Sequence, residues 1–130
     1  MSTFNAIGVA GSGVTVYRKW LDAVSDNIAN VDNVTRTSEN AFQARYVIAQ
    51  EAQDGNGAQV GGVAFGSAEG VLVHDPDNPL VDTQGYVRKP DIDLSAQMAQ
   101  MMMAQRAYQA NLSVVDRAKD SYTAAINLGK

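Results

Sequence analysis

The sequence predicts a mainly α-helical protein with a small β-rich insertion. Long N- and C-terminal helices pack antiparallel, in coiled-coil fashion, with a short antiparallel β and loop region between them. Three observations predict it. Apolar residues at Val14, Tyr17, Leu21, Val24, Ile28 and Val31 step 3-4-3-4-3 along the chain. The same beat returns at Leu94, Met98 and Met101, at Tyr108, Leu112 and Val115, and at Tyr122 and Ile126. Between these stripes lies an unlike stretch, rich in glycine and acid. A repeat near 3.5 residues marks helices that pack along a seam. Carried at both ends of one chain, it suggests two helices that meet each other or their neighbours.

The glycines at positions 8, 11 and 13 predict an irregular segment over residues 1–12, because glycine weakens a helix interior. A helix then runs from about residue 14 to 31 and ends where Asn30, Asp32, Asn33 and the β-branched Val34 and Thr35 follow. Residues 41–49 read as a strand on the strength of Phe42, Tyr46, Val47 and Ile48. Asp54-Gly-Asn-Gly57 is a turn signal. Short strands follow at 60–65 and 70–73, then a proline-interrupted loop over 75–79, then a last extended piece at 85–87. Asp91, Asp93 and Ser95 are each competent to cap the final helix. That helix runs to about residue 128, with Gly129 as its stop, a length of roughly 50 Å. The expected division is residues 1–34 (helical), 35–93 (β-rich) and 94–130 (helical).

Composition narrows the function classes. The 130 residues are one domain's worth of chain, and 45% hydrophobic content is that of ordered protein. No cysteine is present, which excludes disulfides and thiolate chemistry. A net charge of −4 argues against nucleic acid as a partner. The acidity is concentrated in the middle, where residues 35–93 hold nine acidic and four basic groups. The opening residues carry no basic region followed by an apolar core, so no cleaved secretory signal is expected. No apolar run is long enough for a transmembrane span.

The segment 94–105 contains no charged residue, and Met101, Met102 and Met103 are consecutive. Neighbours on a helix point about 100° apart, so these three cover most of its circumference. A helix apolar nearly all round is buried nearly all round. The interspersed Gln97, Gln100 and Gln105 argue against lipid, leaving neighbouring subunits as the expected cover. An ordinary intramolecular helical pair with no larger assembly is the competing reading.

Chemistry-bearing groups are sparse. His74 is the only histidine, and no Gly-x-Ser-x-Gly surrounds any serine. Asp75, Asp77 and Asn78 open like a calcium loop, but Pro76 and Pro79 interrupt it and the required glycine and glutamate are missing. The glycines at 8, 11 and 13 are not in dinucleotide-binding order. No catalytic residue, metal site or cofactor is expected. The expected functional residues are packing ones: Val14, Tyr17, Leu21, Val24, Ile28, Asn30, Met98, Met101, Met102, Met103, Tyr108, Asn111, Leu112, Val115, Tyr122 and Ile126. Asn27, Asn30 and Asn111 could satisfy helix ends or neighbouring backbone where water is excluded, or act as surface amides and local caps.

Several motifs resemble those of one family. The run Leu21-Asp-Ala-Val-Ser-Asp-Asn-Ile-Ala-Asn30 resembles a segment shared by bacterial flagellar rod and hook proteins. His74-Asp-Pro-Asp-Asn-Pro79, Asp82-x-x-Gly85-Tyr-Val87 and Pro90-Asp-Ile-Asp-Leu94 are similar to the central block of the FlgC family of proximal rod proteins, and Arg106-Ala-Tyr-Gln-Ala-Asn111 and Ile126-Asn-Leu-Gly129 to its C-terminus. After Asn30 the chain departs from the family's usual Thr and Gly or Pro turn, which leaves the route out of the first helix open. The resemblance implies a non-enzymatic subunit of the flagellar basal body, exported by the flagellar type III apparatus without a cleaved signal and polymerised in the periplasm. Its partners would be itself, the other proximal and distal rod proteins, and the adaptor at the export gate and ring. A free-standing soluble binding module with an acidic, loop-rich middle is the alternative.

Overall fold

A helix at each end and four short strands between them follow the hydrophobic periods of the chain. The computed structural model describes residues 3–129. Helix α1 spans Thr3–Ala29, strands β1 to β4 span Arg45–Glu51, Ala58–Phe65, Val71–His74 and Tyr86–Lys89, and helix α2 spans Leu94–Leu128. β1 pairs with β2 in one two-stranded sheet and β3 with β4 in another. The second is antiparallel, with Val71 opposite Lys89 and His74 opposite Tyr86. Two units divide the chain. One holds the described residues up to Leu21, residues 47–62 and those from Met102 onward; the other holds Asp22–Tyr46 and Val63–Met101.

In the first unit the helices run antiparallel. The Phe4 and Tyr122 rings meet edge to face, with centroids 4.9 Å apart. Nine residues further along α1, the backbone of Gly13 lies under the Asn111 side chain, where an added Cβ would sit 3.1 Å from Nδ2. The start of this unit corrects the expectation of an irregular segment over residues 1–12, since helix begins at Thr3. Met1 and Ser2 lie outside the described residues. Glycine costs a helix about 1 kcal/mol relative to alanine, and packing offsets that cost here. Gly13 admits Asn111, while Ser12 ties the helix to the hairpin. The Ser12 hydroxyl donates to the Val9 carbonyl at 2.6 Å and accepts from the Ala58 amide at 3.0 Å. The connection from Ala52 to Gly57 closes with the Ala52 amide donating to the Gly57 carbonyl, and both Gly55 and Gly57 have positive φ.

The second unit surrounds the end of α1. Asn30 closes the helix by donating from Nδ2 to the Asp26 carbonyl at 2.8 Å. The chain then returns so that Thr35 and Arg88 exchange backbone hydrogen bonds of 2.9 and 3.0 Å. The Arg88 guanidinium donates to the carbonyls of Thr37 and Glu69. This is the route out of the first helix that the sequence left open. Residues 41–44, which the sequence predicts as the start of a strand, are not part of one, although their backbone is bonded: the Ala41 amide donates to the Ala68 carbonyl and the Ala44 carbonyl accepts from the Gly66 amide. The strand proper starts at Arg45. Val24, Ala41, Ala44 and Val87 are buried here. Of the three candidate caps for α2, Asp93 serves: its Oδ1 accepts from the amides of Ser95 and Ala96.

Three positions in the fold give predictions, Gly70 and Asp82 in this unit and Gly8 in the first. Gly70 has φ of +57°, and a Cβ there would lie 2.1 Å from the Lys89 carbonyl oxygen and 2.6 Å from the Ala41 Cβ. Gly70→Ala should therefore destabilise the protein by about 2–4 kcal/mol, read as a lower urea midpoint. Gly8→Ala, with open space around it, should raise stability by about 1 kcal/mol. The Asp82 carboxyl is held below its ordinary pKa, first by the hydrogen bond from the Tyr86 amide, then by those from Gln84, Thr37 and Gly85. A lowered carboxyl pKa contributes stability above the unfolded value, and that stability is lost as pH falls through the folded one. The turn over residues 82–86 should keep its order down to about pH 4 and lose it below, followed by the Tyr86 amide resonance. In Asp82→Asn that resonance should show no such acid step.

Candidate assembly surface

The best-satisfied polar site in the protein is structural. Asn27 is 0% exposed and Gln97 3% exposed. Asn27 Nδ2 donates to the Arg45 carbonyl at 2.9 Å and to Gln97 Oε1 at 3.0 Å, while its Oδ1 accepts from the Arg45 amide at 2.8 Å. One side-chain amide thus pairs with the strand backbone as another strand would, and spends its second N–H on α2. Both donors of the amide are used. Beside it, the Arg45 guanidinium lies 2.7 Å from Asp26, with both side chains about half exposed, so this ion pair adds little.

Burial along the helices shows which stripe faces inward. On α2, Gln97 and Ala104 are buried and Met101, Tyr108, Asn111, Val115 and Ala118 are half-buried, a spacing of alternating fours and threes. On α1, Ala10, Val24 and Asn27 are buried and Gly13, Tyr17 and Trp20 half-buried, again at 3.5. Val16 and Ala23 are buried one position before this stripe. Val14, Leu21 and Ile28 lie one position after it and are half-buried, as is Asn30.

Large apolar side chains remain exposed on the flanks. In the first unit these are Met102, Met103, Leu112, Val114, Tyr122, Ile126 and Leu128 of α2, with Phe4 of α1. Leu112 and Ile126 follow the inner stripe by one position, and Val114 precedes it by one. They therefore border the seam on both sides. One flank of α1 is occupied by the hairpin: Gly13, Val16, Tyr17 and Trp20 line an open apolar groove of about 280 Å³ with Val47, Ala49 and Ala58. The other flank carries Val14 and Leu21. In the second unit Leu94 and Met98 are exposed.

Seam counting on the sequence missed Ala10, Val16, Trp20, Ala23, Gln97 and Ala104. For Ala10, Ala23 and Ala104 the signal available was small size at helical spacing, which a search for large apolar residues passes over; Val16, Trp20 and Gln97 fall between the positions of the 3-4 count. Elsewhere little chemistry is assembled. The His74 ring meets Tyr86 edge to face at 5.2 Å. Among the described residues no three His, Cys, Asp or Glu side chains could hold a metal ion, and no helix is long and apolar enough to cross a membrane. What the arrangement offers is packing surface.

Comparison with known proteins gives the same direction. The family described as "Flagellar basal body rod FlgEFG protein C-terminal" matches residues 83–128. The chain is 34% identical over 134 aligned residues to the flagellar basal-body rod protein FlgC of Salmonella typhimurium, covering 100% of both chains. It is 27% identical over 150 residues to that of Bacillus subtilis, again covering 100% of both. To that of Aquifex aeolicus it is 30% identical over 125 residues, covering 94% of this chain and 93% of the relative.

Asn27 gives the prediction of this site. Asn27→Ala removes the partners of the part-buried Arg45 amide and carbonyl and leaves the buried Gln97 Oε1 without its donor, at a cost of about 1–3 kcal/mol. Denaturant unfolding followed by far-ultraviolet circular dichroism should show that loss. A change below about 0.5 kcal/mol, the size of an ordinary surface substitution, would mean that the amide is not holding the helices.

Proposed function

The chain belongs to the FlgC family of flagellar basal-body rod proteins, and from that premise we propose that its paired terminal helices are the elements through which it polymerises into a torque-transmitting shaft. It is a structural subunit of the basal-body rod and assembles with other rod components. The observation that carries the proposal is the row of large apolar side chains left exposed beside the inner stripe of α2, above all Leu112, Val114 and Ile126. Exposed apolar surface of this kind marks association sites. A neighbour's helix laid along such a flank repeats the packing already made inside the subunit. Contacts of that type are heterologous, and repetition of them generates a helical filament.

Torque demands an interior that does not deform. Close-packed side chains have low compressibility and transmit strain, and helices wedged between helices supply them along the whole length. The charge-free start of α2 fits the same role, because Met packs adaptably against unlike neighbours. We place the subunit in the proximal rod, within the periplasm, delivered by the flagellar type III apparatus without a cleaved signal. Its neighbours there are other copies of itself, proximal and distal rod proteins, and the adaptor at the export gate and ring. These finer assignments rest on the family motifs described above.

Leu112→Asp tests the reading. A buried unpaired charge is strongly disfavoured, so rods recovered from cells should fall by at least about 10-fold while export of the protein continues. An insertion of a few Gly-Ser residues within 53–57, whose tip is exposed and lacks an apolar anchor, should leave rods largely intact. Normal motility in Leu112→Asp, or loss of rods only in the insertion, would count against assembly through the helices.

A further inference from the structure

The chain has five methionines and no cysteine, so thioethers are its only readily oxidised sulfur. Met102 and Met103, adjacent and both in the first unit, are 55% and 59% exposed, Met98 in the second unit is 54% exposed, and Met101 is half-buried on the inner stripe. Their surroundings on α2 hold no charge from Leu94 to Gln105. Resting on the assembly reading above, we propose that Met102 and Met103 are a peroxide-sensitive modification site, and that their oxidation in the free subunit bars it from the rod. The reagent class is a hydroperoxide. The thioether sulfur attacks the OH oxygen of the peroxide, the O–O bond breaks, and the other oxygen takes up that OH proton and leaves as water from hydrogen peroxide or as an alcohol from an organic hydroperoxide. The sulfur loses two electrons and becomes a sulfoxide, while the peroxide is reduced. The product replaces a flexible apolar side chain with a polar one that disrupts Met-rich interfaces.

The consequence differs before and after assembly. In the free subunit both thioethers are open to solvent and react, and the sulfoxide oxygen is hydrated at no cost. In the rod, a neighbour packed on that face excludes peroxide and offers an S=O group no donor. Oxidation therefore selects against subunits that have waited too long outside the rod and spares those already in it.

The test uses purified full-length protein and intact basal bodies, each treated with dilute hydrogen peroxide and then catalase, with sulfoxide measured at each methionine by peptide mass spectrometry. In the free protein Met102 and Met103 should oxidise at least about 3-fold faster than Met101, in line with their exposure. In basal bodies both should be protected. Met102→Gln/Met103→Gln, which sets an uncharged polar group at both positions, should lower rod recovery by about 10-fold, while Met102→Leu/Met103→Leu should keep rods, since a volume-conserving apolar exchange is tolerated. Cells carrying the Leu pair should also build rods during a peroxide pulse that stops wild-type assembly. Protection in basal bodies together with normal rods from the Gln pair, or equal pulse sensitivity of the Leu pair and wild type, would overturn the modification site alone. Equal oxidation of Met102 and Met103 in free and assembled protein would overturn both this proposal and the covering of that face.

Discussion

The side chain of Asn27 pairs with both backbone groups of Arg45 and with Gln97, and three otherwise separate pieces of chain depend on it. They are the last turns of α1, the first residue of β1 and the first turn of α2. Burying a polar group without partners is expensive, so an amide at this depth is tolerated only where all its partners coincide. A slip of α1 by one residue would leave the Asn27 and Gln97 amides and the Arg45 backbone unpaired together, and a slip of α2 would break the Asn27–Gln97 bond. Apolar side chains alone would accept several registers, as interchangeable oily stripes do. The amide accepts one. It acts here as a buried polar residue does in coiled coils, where it fixes register at some cost in stability.

With the pairing set, the distribution of side-chain size becomes intelligible. Small residues sit inside: Ala10, Gly13, Ala23 and Ala104 lie on or beside the inward stripes. Large ones sit outside: Phe4, Met102, Met103, Ile126 and Leu128 are exposed. A protein meant to stay alone would place its large apolar groups the other way round. Small inward residues let helix backbones approach closely, as Gly13 does under Asn111. The large apolar side chains are then available for neighbours, which is where a shaft needs its cohesion.

Much of this fold was legible in the sequence and part of it was not, for identifiable reasons. The 3.5 spacing located α2 correctly, and Asp93 and Gly129 bounded it, because caps and periodicity are local properties of the chain. The turn at 54–57 and the short strands after it were readable from glycine and β-branched residues for the same reason. The start of α1 was not: three glycines argue against helix locally, and only contacts with distant Asn111 and Ala58 reverse that argument. On α1 the 3-4 count from Val14 meets the inward stripe at Tyr17 and Val24 and runs beside it elsewhere. Val14, Leu21 and Ile28 are half-buried one position to the side, and the inward stripe passes instead through Ala10, Gly13, Trp20 and Asn27. Hydrophobic counting weighs a valine above an alanine or an amide, while close helix packing does the reverse. Asn27 was legible as a residue able to satisfy neighbouring backbone, but its partners lie 18 and 70 residues away, and no local pattern names them.

Imaging intact basal bodies at side-chain resolution is the measurement that bears most directly on the central claim. In the assembled rod each subunit should keep Asn27 bonded to Arg45 and Gln97, and helices of neighbouring subunits should cover Leu112, Val114 and Ile126. A rod in which α1 and α2 of one subunit have separated, or in which those three side chains face open solvent, would contradict it.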